Sequence, residues 1–480
     1  MRAFYYLLFT VPFLILIFVF NFPAPPWPDA VVYDSVARDF MNSGIFRYSI
    51  FGDFDASYLR ANFNNGPLYP LVHMVFLKIF GSTDSRLLLI FNYILAVLTF
   101  INISRVLRLS TEQLLLMVVL VFNPVIYHYT NILRPEWMNI FLFSCIWRII
   151  PYSYIGASFL LALAALNHQF SIFFVPFVLY LVYRKEGTWM GRIRGWFLVC
   201  TFTALFLTPY LIYIFRHWGD FVFQLFGNQI AESASGGFLK FARSFVVPLF
   251  YPSISIYTIT DRMPRWQADF LPFGLIAGIA ALIFKWRRGI KFSDSTKEAF
   301  FFWFFLNLGC AVTTFNPYVA LSFSVFAVAL LRDIFPVITP RFKMAVGLVA
   351  VVGIIYQLVF YNKVADRLFR WEDYKIASAC ISNQLPDGAD VYVMAYPDPS
   401  VELNNLRNDI GIKRYIDFAK YADAWKQIVA NRKYFIVSND AIYLNRFDYE
   451  NALRNGIEAG LFSETRCEAG NIGYTVWKHR

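Results

Sequence analysis

The sequence predicts an all-α polytopic membrane domain of about eleven spanning helices, with a small extracytoplasmic α/β domain at its carboxyl end. Three observations carry this. The 480 residues are 58% hydrophobic and 20% aromatic with only 16% charged, far from the composition of a soluble domain. Apolar runs of about 17–25 residues recur as far as residue 361. Past Lys363 these runs stop, and short apolar segments alternate with polar, helix-like stretches.

Spanning segments are expected at 4–22, 86–104, 111–127, 137–150, 152–166, 169–183, 196–215, 269–284, 298–314, 318–335 and 344–361. The first reads as an anchor, because its apolar core is too long for a secretory signal and Phe22-Pro23-Ala24 makes a poor cleavage site. Basic residues set the orientation. With the amino terminus in the cytoplasm, the inner connections hold Arg105, Arg108, Arg148, the run from Arg184 to Arg194, the cluster from Lys285 to Lys297, and Arg332 to Lys343. The short outer turns hold Arg134 alone. This asymmetry explains the net charge of +11 without a nucleic-acid partner, since no basic run is interleaved with stacking aromatics outside the spans.

Pro67 to Phe80 is apolar but short. If it spanned, every later segment would invert and the Lys285–Lys297 cluster would face outward, so it is expected to lie in the outer interface. The first outer loop, 23–85, is then held at the membrane surface. A second large outer loop, 217–268, is rich in glycine and serine near Ser233-Ala234-Ser235-Gly236-Gly237 and is expected to order when ligand binds. The predicted domains are 1–363, in and around the membrane, and 364–480 outside it. The outer domain should hold strands at Asp390–Tyr396 and Tyr434–Ser438, with helices near 417–430 and 447–460. Its cysteines, Cys380 and Cys467, are either a disulfide of an oxidising compartment or two buried thiols. No CxxC or paired-His spacing marks a zinc or haem site.

Carboxylates gather in the outer loops. Asp29 follows Pro-Pro-Trp-Pro, a rigid exit from the first span, and opens an amphipathic segment ending at Gly44; it reads as a helix cap or as a reactive carboxylate. Arg134-Pro135-Glu136 brings a second acid to the outer mouth of a helix, as part of a site or as an interfacial ion pair worth at most about 1 kcal/mol. Asn167-His168-Gln169 tops the fifth and sixth spans, where an ionisable group is either a ligand for a membrane-borne anion or a hydrogen-bonded structural residue. Arg60 is an interfacial anchor or an anion ligand. Asp34 and Asp39, near Arg38, read as solvated helix-face residues, whereas Asp53 and Asp55 flank Phe54 in a turn and are candidates, with Glu136, for a divalent cation.

The order of these features resembles the GT-C superfamily of membrane glycosyltransferases, and within it the branch of protein O-mannosyltransferases and bacterial lipid A aminoarabinose transferases. The resemblance rests on Asp29 after the first span, the helix ending at Gly44, Gly66-Pro67-Leu68-Tyr69-Pro70, and Leu77-Lys78-Ile79-Phe80-Gly81. It continues through Arg134-Pro135-Glu136, Asn167-His168-Gln169 and Asn316-Pro317-Tyr318. Gly66 stands where relatives have a first proline, His168 where they have lysine, and Pro317 where they have a basic residue.

The resemblance implies an inverting transfer from a polyprenyl-phosphate sugar to a lipid-, glycan- or protein-linked acceptor outside the cytoplasm; the compact length and the small outer domain point to a bacterial inner membrane. In that reading Asp29 is the base and Glu136 the second catalytic acid. His168, Gln169, Arg134, Arg60, Tyr69 and Tyr318 face the donor phosphate and lipid, and a divalent metal is left unassigned. The competing classes are a lipid or glycan transporter, for which internal repeats and midplane charges are expected, and an O-antigen ligase or polymerase.

Overall fold

A computed structural model describes residues 28–63, 66–81, 85–111, 113–114, 135–224, 271–313, 317–337, 370–395, 397–414, 422–432, 434–438 and 449–480, with isolated helical residues at 10 and between 340 and 355. The first outer loop divides in two. Its front half opens with α1 (Pro28–Ser43), which starts on a proline whose fixed φ suits the first helical position. α1 stops where Gly44 takes φ +72° and its N–H closes on Phe40 O. A 3-10 turn over Ser49–Phe51 and the short α2 (Ser57–Arg60) follow. The back half is α3 (Leu68–Phe80), the apolar segment expected at the interface. It buries the stripe Tyr69, Pro70, His73 and Leu77 and leaves Val75, Ile79 and Phe80 outward.

The helical body comprises α4 (Ser85–Val106), α5 (Glu136–Ile149), α6 (Tyr154–Asn167), α7 (Val175–Lys185), α8 (Trp189–Arg216), the short α9 (Trp218–Val222), α10 (Leu271–Arg288), α11 (Asp294–Thr313) and α12 (Pro317–Ile334). An apolar core built around Phe143, Trp147, Phe174, Phe177 and Phe302 joins them. Basic residues read as the inner clusters are tied in. Lys285 pairs with Asp333 at 2.8 Å, and the same carboxylate accepts from Thr296 Oγ1 and Ser293 N.

Among the described residues, two helices are long and apolar enough to cross a bilayer, Leu87–Val106 and Trp189–Arg216. The 28 residues of α8 reach about 42 Å, and Phe197, Leu205 and Phe215 lie exposed along it. The segments expected to span at 137–150 and 152–166 are 14-residue helices of about 21 Å each, short of the roughly 30 Å of a hydrocarbon core. The one expected at 169–183 is split into a 3-10 turn, Gln169–Phe174, and α7, with Pro176 at the junction. Helix length among the described residues therefore carries fewer spans than the apolar runs suggest. The spans expected at 4–22, 111–127 and 344–361 fall almost wholly outside the described residues.

The carboxyl-terminal part holds α13 (Trp371–Gln384), β1 (Asp390–Met394), α14 (Ser400–Leu406), β2 (Gly411–Arg414), α15 (Ala422–Asn431), β3 (Tyr434–Ser438), α16 (Tyr449–Glu458), β4 (Phe462–Ala469) and β5 (Ile472–His479). The sheet order is β2-β1-β3-β5-β4, parallel across the first three strands and antiparallel across the rest. Strand alternation sends Val391, Val393, Tyr434 and Ile436 to one face, under Trp371, Tyr374 and Ile381 of α13. Cys380 and Cys467 join α13 to β4 in a disulfide on that side.

The opposite face, Tyr392, Met394, Phe435 and Val437, is covered by α15 and α16 together with the front half of the first loop. Val32, Val36, Tyr48, Ile50, Phe54 and Tyr58 join this second core. A parallel sheet needs both faces buried, and residues 28–63 supply part of the second cover. The sequence assigns those residues to the membrane domain, yet they share a core with the carboxyl-terminal sheet. α1 reaches both bodies, because Ala30 belongs to the helical core while Val32 and Val36 belong to the sheet core.

Candidate active site

The starts of α3 and α5 meet the end of α6, and α1 packs along α3. Asp29 is the second residue of α1 as described, near the helix end where the positive dipole favours a carboxylate. Tyr33, one turn later and on the same face of α1, meets Tyr69 of α3 edge-on with ring centroids 5.1 Å apart. The His73 ring lies 6.2 Å from Tyr33 and 5.1 Å from Tyr69. His73 is 1% exposed, and neither ring nitrogen has a hydrogen-bond partner among the described residues. Burial drives its pKa down to about 4; Arg38 pushes the same way and Asp34 opposes.

Glu136 opens α5 behind Pro135 and is 2% exposed. Asn167, the last residue of α6, locks that helix start: its Nδ2 donates to Pro135 O and to Asn139 Oδ1, both at 2.9 Å. His168 follows in extended conformation, buried, with Gln169 beginning the 3-10 turn. Gly66 presses against this corner. A Cβ there would overlap the Leu166 carbonyl oxygen and come within 2.9 Å of the Asn167 carbonyl carbon, so a residue without a side chain is required in front of Pro67. The junction thus gathers Tyr69, Glu136, Asn167 and His168, with α1 and its Asp29 alongside α3.

No protein-family model matches the sequence, and a search of curated proteins finds no match. Among solved structures, the apo oligosaccharyltransferase of Archaeoglobus fulgidus superposes with a TM-score of 0.54 at 10% identity, over 98% of this chain and 74% of that chain. The fold is of the GT-C type. A further match, at a TM-score of 0.40 and 11% identity, is ArnT from Cupriavidus metallidurans bound to undecaprenyl phosphate, over 98% of this chain and 97% of that one.

Other candidates take different places in this GT-C fold. Arg60 grips Asp220, with Nη2 2.6 Å from Oδ1 and Nε 3.2 Å from both carboxylate oxygens. Gln224 adds bonds to Ser57 O, Ala61 O and Phe63 N. These contacts fasten the start of the 217–268 loop to the first loop; residues 225–268 lie outside the described residues. Asp34, expected to be solvated, is buried and paired with Arg38 at 2.8 Å, and Asp39 accepts from Ser49 N at 3.0 Å.

The cation candidates do not fit a metal. Asp53 is held by Arg432 Nη2 at 2.6 Å and by the Tyr392 hydroxyl, while Asp55 caps a turn by accepting from Ser57 N at 2.7 Å. Among the described residues no group of three or more His, Cys, Asp or Glu side chains is placed to hold one. Tyr318 is the second residue of α12, described by its backbone only, and Arg134 lies outside the described residues. Tyr33 and His73 were missed in the sequence, although each stands four residues after a flagged one, Asp29 and Tyr69.

Proposed function

We propose that the chain is an inverting glycosyltransferase that moves a sugar from a polyprenyl-phosphate donor to an envelope glycolipid, glycan or protein on the extracytoplasmic face of a bacterial inner membrane. The reading is supported best by the corner where Gly66, before α3, meets Leu166 and Asn167 of α6 and Asn167 holds Pro135 before α5, so that three segments read from the sequence as outer come together. Asp29 takes the proton of the acceptor hydroxyl as its oxygen attacks the anomeric carbon. The bond from that carbon to the phosphate oxygen breaks in the same displacement, which inverts the centre, and polyprenyl phosphate departs as a stable anion without a strong general acid.

Glu136, across the corner, orients the acceptor hydroxyl. His168 and Gln169 hold the donor phosphate, with Tyr69, Tyr318 and Arg134 completing its surroundings and Arg60 stationed at the loop base. The outward apolar stripe of α3 lets a lipid tail enter sideways from the bilayer. The Cys380–Cys467 disulfide supports an oxidising compartment for the sheet, and the shared core keeps the Asp29 loop on the same side.

The test is mass spectrometry of envelope glycolipids and glycoproteins from cells with the gene, without it, and with Asp29→Asn. One sugar modification should vanish in the deletion and stay below about one per cent in the variant, a loss of the size expected for a missing base. A deletion that changes no glycan overturns the enzymatic reading in favour of transport. Full activity of Asp29→Asn keeps the enzyme and removes the base.

A further inference from the structure

The carboxyl-terminal sheet reaches back to α1 through a connected set of polar contacts laid over the shared apolar core. Arg432, which follows α15, donates from Nη2 to Asp53 at 2.6 Å and from Nη1 to Asp390 at 3.1 Å, so it bridges the first loop to β1. The Tyr392 hydroxyl donates to the same Asp53 oxygen. Lys413 of β2 donates to Ser49 O at 3.0 Å, and Ser49 N in turn donates to Asp39 of α1 at 3.0 Å. Arg38, beside Asp39, donates to Asn405 of α14 at 2.8 Å. α1 is thus held from the sheet both directly and through the 3-10 turn.

We propose that Arg432 is a positioning residue for Asp29: by clamping Asp53 it fixes the front half of the first loop on the sheet and so sets the placement of α1. This rests on the glycosyltransferase reading above. An exposed ion pair contributes little, typically 0–1 kcal/mol, but this one is partly shielded, with Asp53 24% and Arg432 34% exposed. It also shares its acceptor with a buried tyrosine and stands at the edge of an apolar core that contains Val32 and Val36 of α1. A helix rocking by about 1 Å at a reacting centre costs on the order of a hundredfold in rate. The clamp therefore acts on turnover more than on binding.

The experiment uses the full chain in nanodiscs carrying Asp390→Asn, which removes the like charge that Arg432→Asp would otherwise meet, and adds to it Arg432→Asp, Asp53→Arg and the double swap. Hydrogen exchange of residues 28–43 is followed by mass spectrometry, and sugar transfer is measured from a panel of undecaprenyl-phosphate hexoses and pentoses to a detergent extract of cell envelope as acceptor. Each single variant should speed exchange in α1 about tenfold and lower kcat about tenfold, with KM for donor within about twofold. The swap restores both to within about threefold, which a loss of folding does not permit. Unchanged exchange in α1 overturns the clamp, as does faster exchange with unaltered kcat. If exchange responds and recovers as stated while the wild-type chain transfers no sugar from any donor of the panel to the envelope extract, the mechanical link stands and the glycosyltransferase reading, with the role of Asp29, fails.

Discussion

The two halves of the first outer loop are held by opposite means. Residues 28–63 lie on the carboxyl-terminal sheet through an apolar core and a few charged links, whereas residues 66–81 are fixed to the helical body by backbone contact at Gly66 and by Leu68, Val72 and Phe76 against its core, with the rings of Tyr69 and His73 meeting Tyr33 of α1 between the two halves. The first attachment is broad and forgiving, since a core loses stability by degrees as its volume changes. The second is narrow, because a backbone leaves no room for a Cβ. The candidate site lies where the two attachments meet, on a helix that touches both.

The largest effect should come from the broad attachment when its centre is removed. Phe435, fully buried beneath the first loop, should cost about 3–5 kcal/mol as Phe435→Ala, and limited proteolysis should then cut the 44–57 region at a rate that α3 does not share. Equal loss of protection in both halves would mean that the loop is one body after all. Next comes Gly66→Ala, with a cost of about 1–3 kcal/mol from the displaced corner of α6, read as a lowered Tm and as loss of transfer while α1 keeps its slow exchange on the sheet.

The smallest effect is titration of His73. Its folded pKa, about 4, lies below the ordinary 6.5, so the unfolded chain takes up a proton that the folded imidazole refuses. The contribution is intact above about 6.5 and is lost as the pH falls towards 4. A Tm that drops by about 2–4 °C more across that window in wild type than in His73→Phe would sharpen the assignment of acid sensitivity to the back half. Identical pH profiles would place the sensitive group elsewhere.

Much of this was legible in the chain because periodicity and turn chemistry are local. Pro67 to Phe80 emerges as α3 nearly to the residue, and Gly44 closes α1 as expected. β1 and β3 show as apolar runs, but β2 has four residues and β4, Phe462–Ala469, buries little beyond Phe462 and Cys467, so neither presents an apolar stripe to read. Of the site, Glu136 and Asn167-His168 are recognisable as polar groups at helix mouths. What the sequence conceals is pairing at distance: nothing around Asp53 announces Arg432, and a carboxylate clamped by an arginine looks, in one dimension, like a free ligand for a cation.

α1 also has a fixed length. Each residue of a helix turns the face by about 100°, so Ala30 on the membrane side and Val32 on the sheet side stand almost back to back. Inserting or deleting one residue between Asp29 and Val36 would swing one of these surfaces away from its seat whichever way the helix settled. Lineages descended from this chain can therefore exchange letters along the segment from Pro28 to Gly44 far more freely than they can change its count.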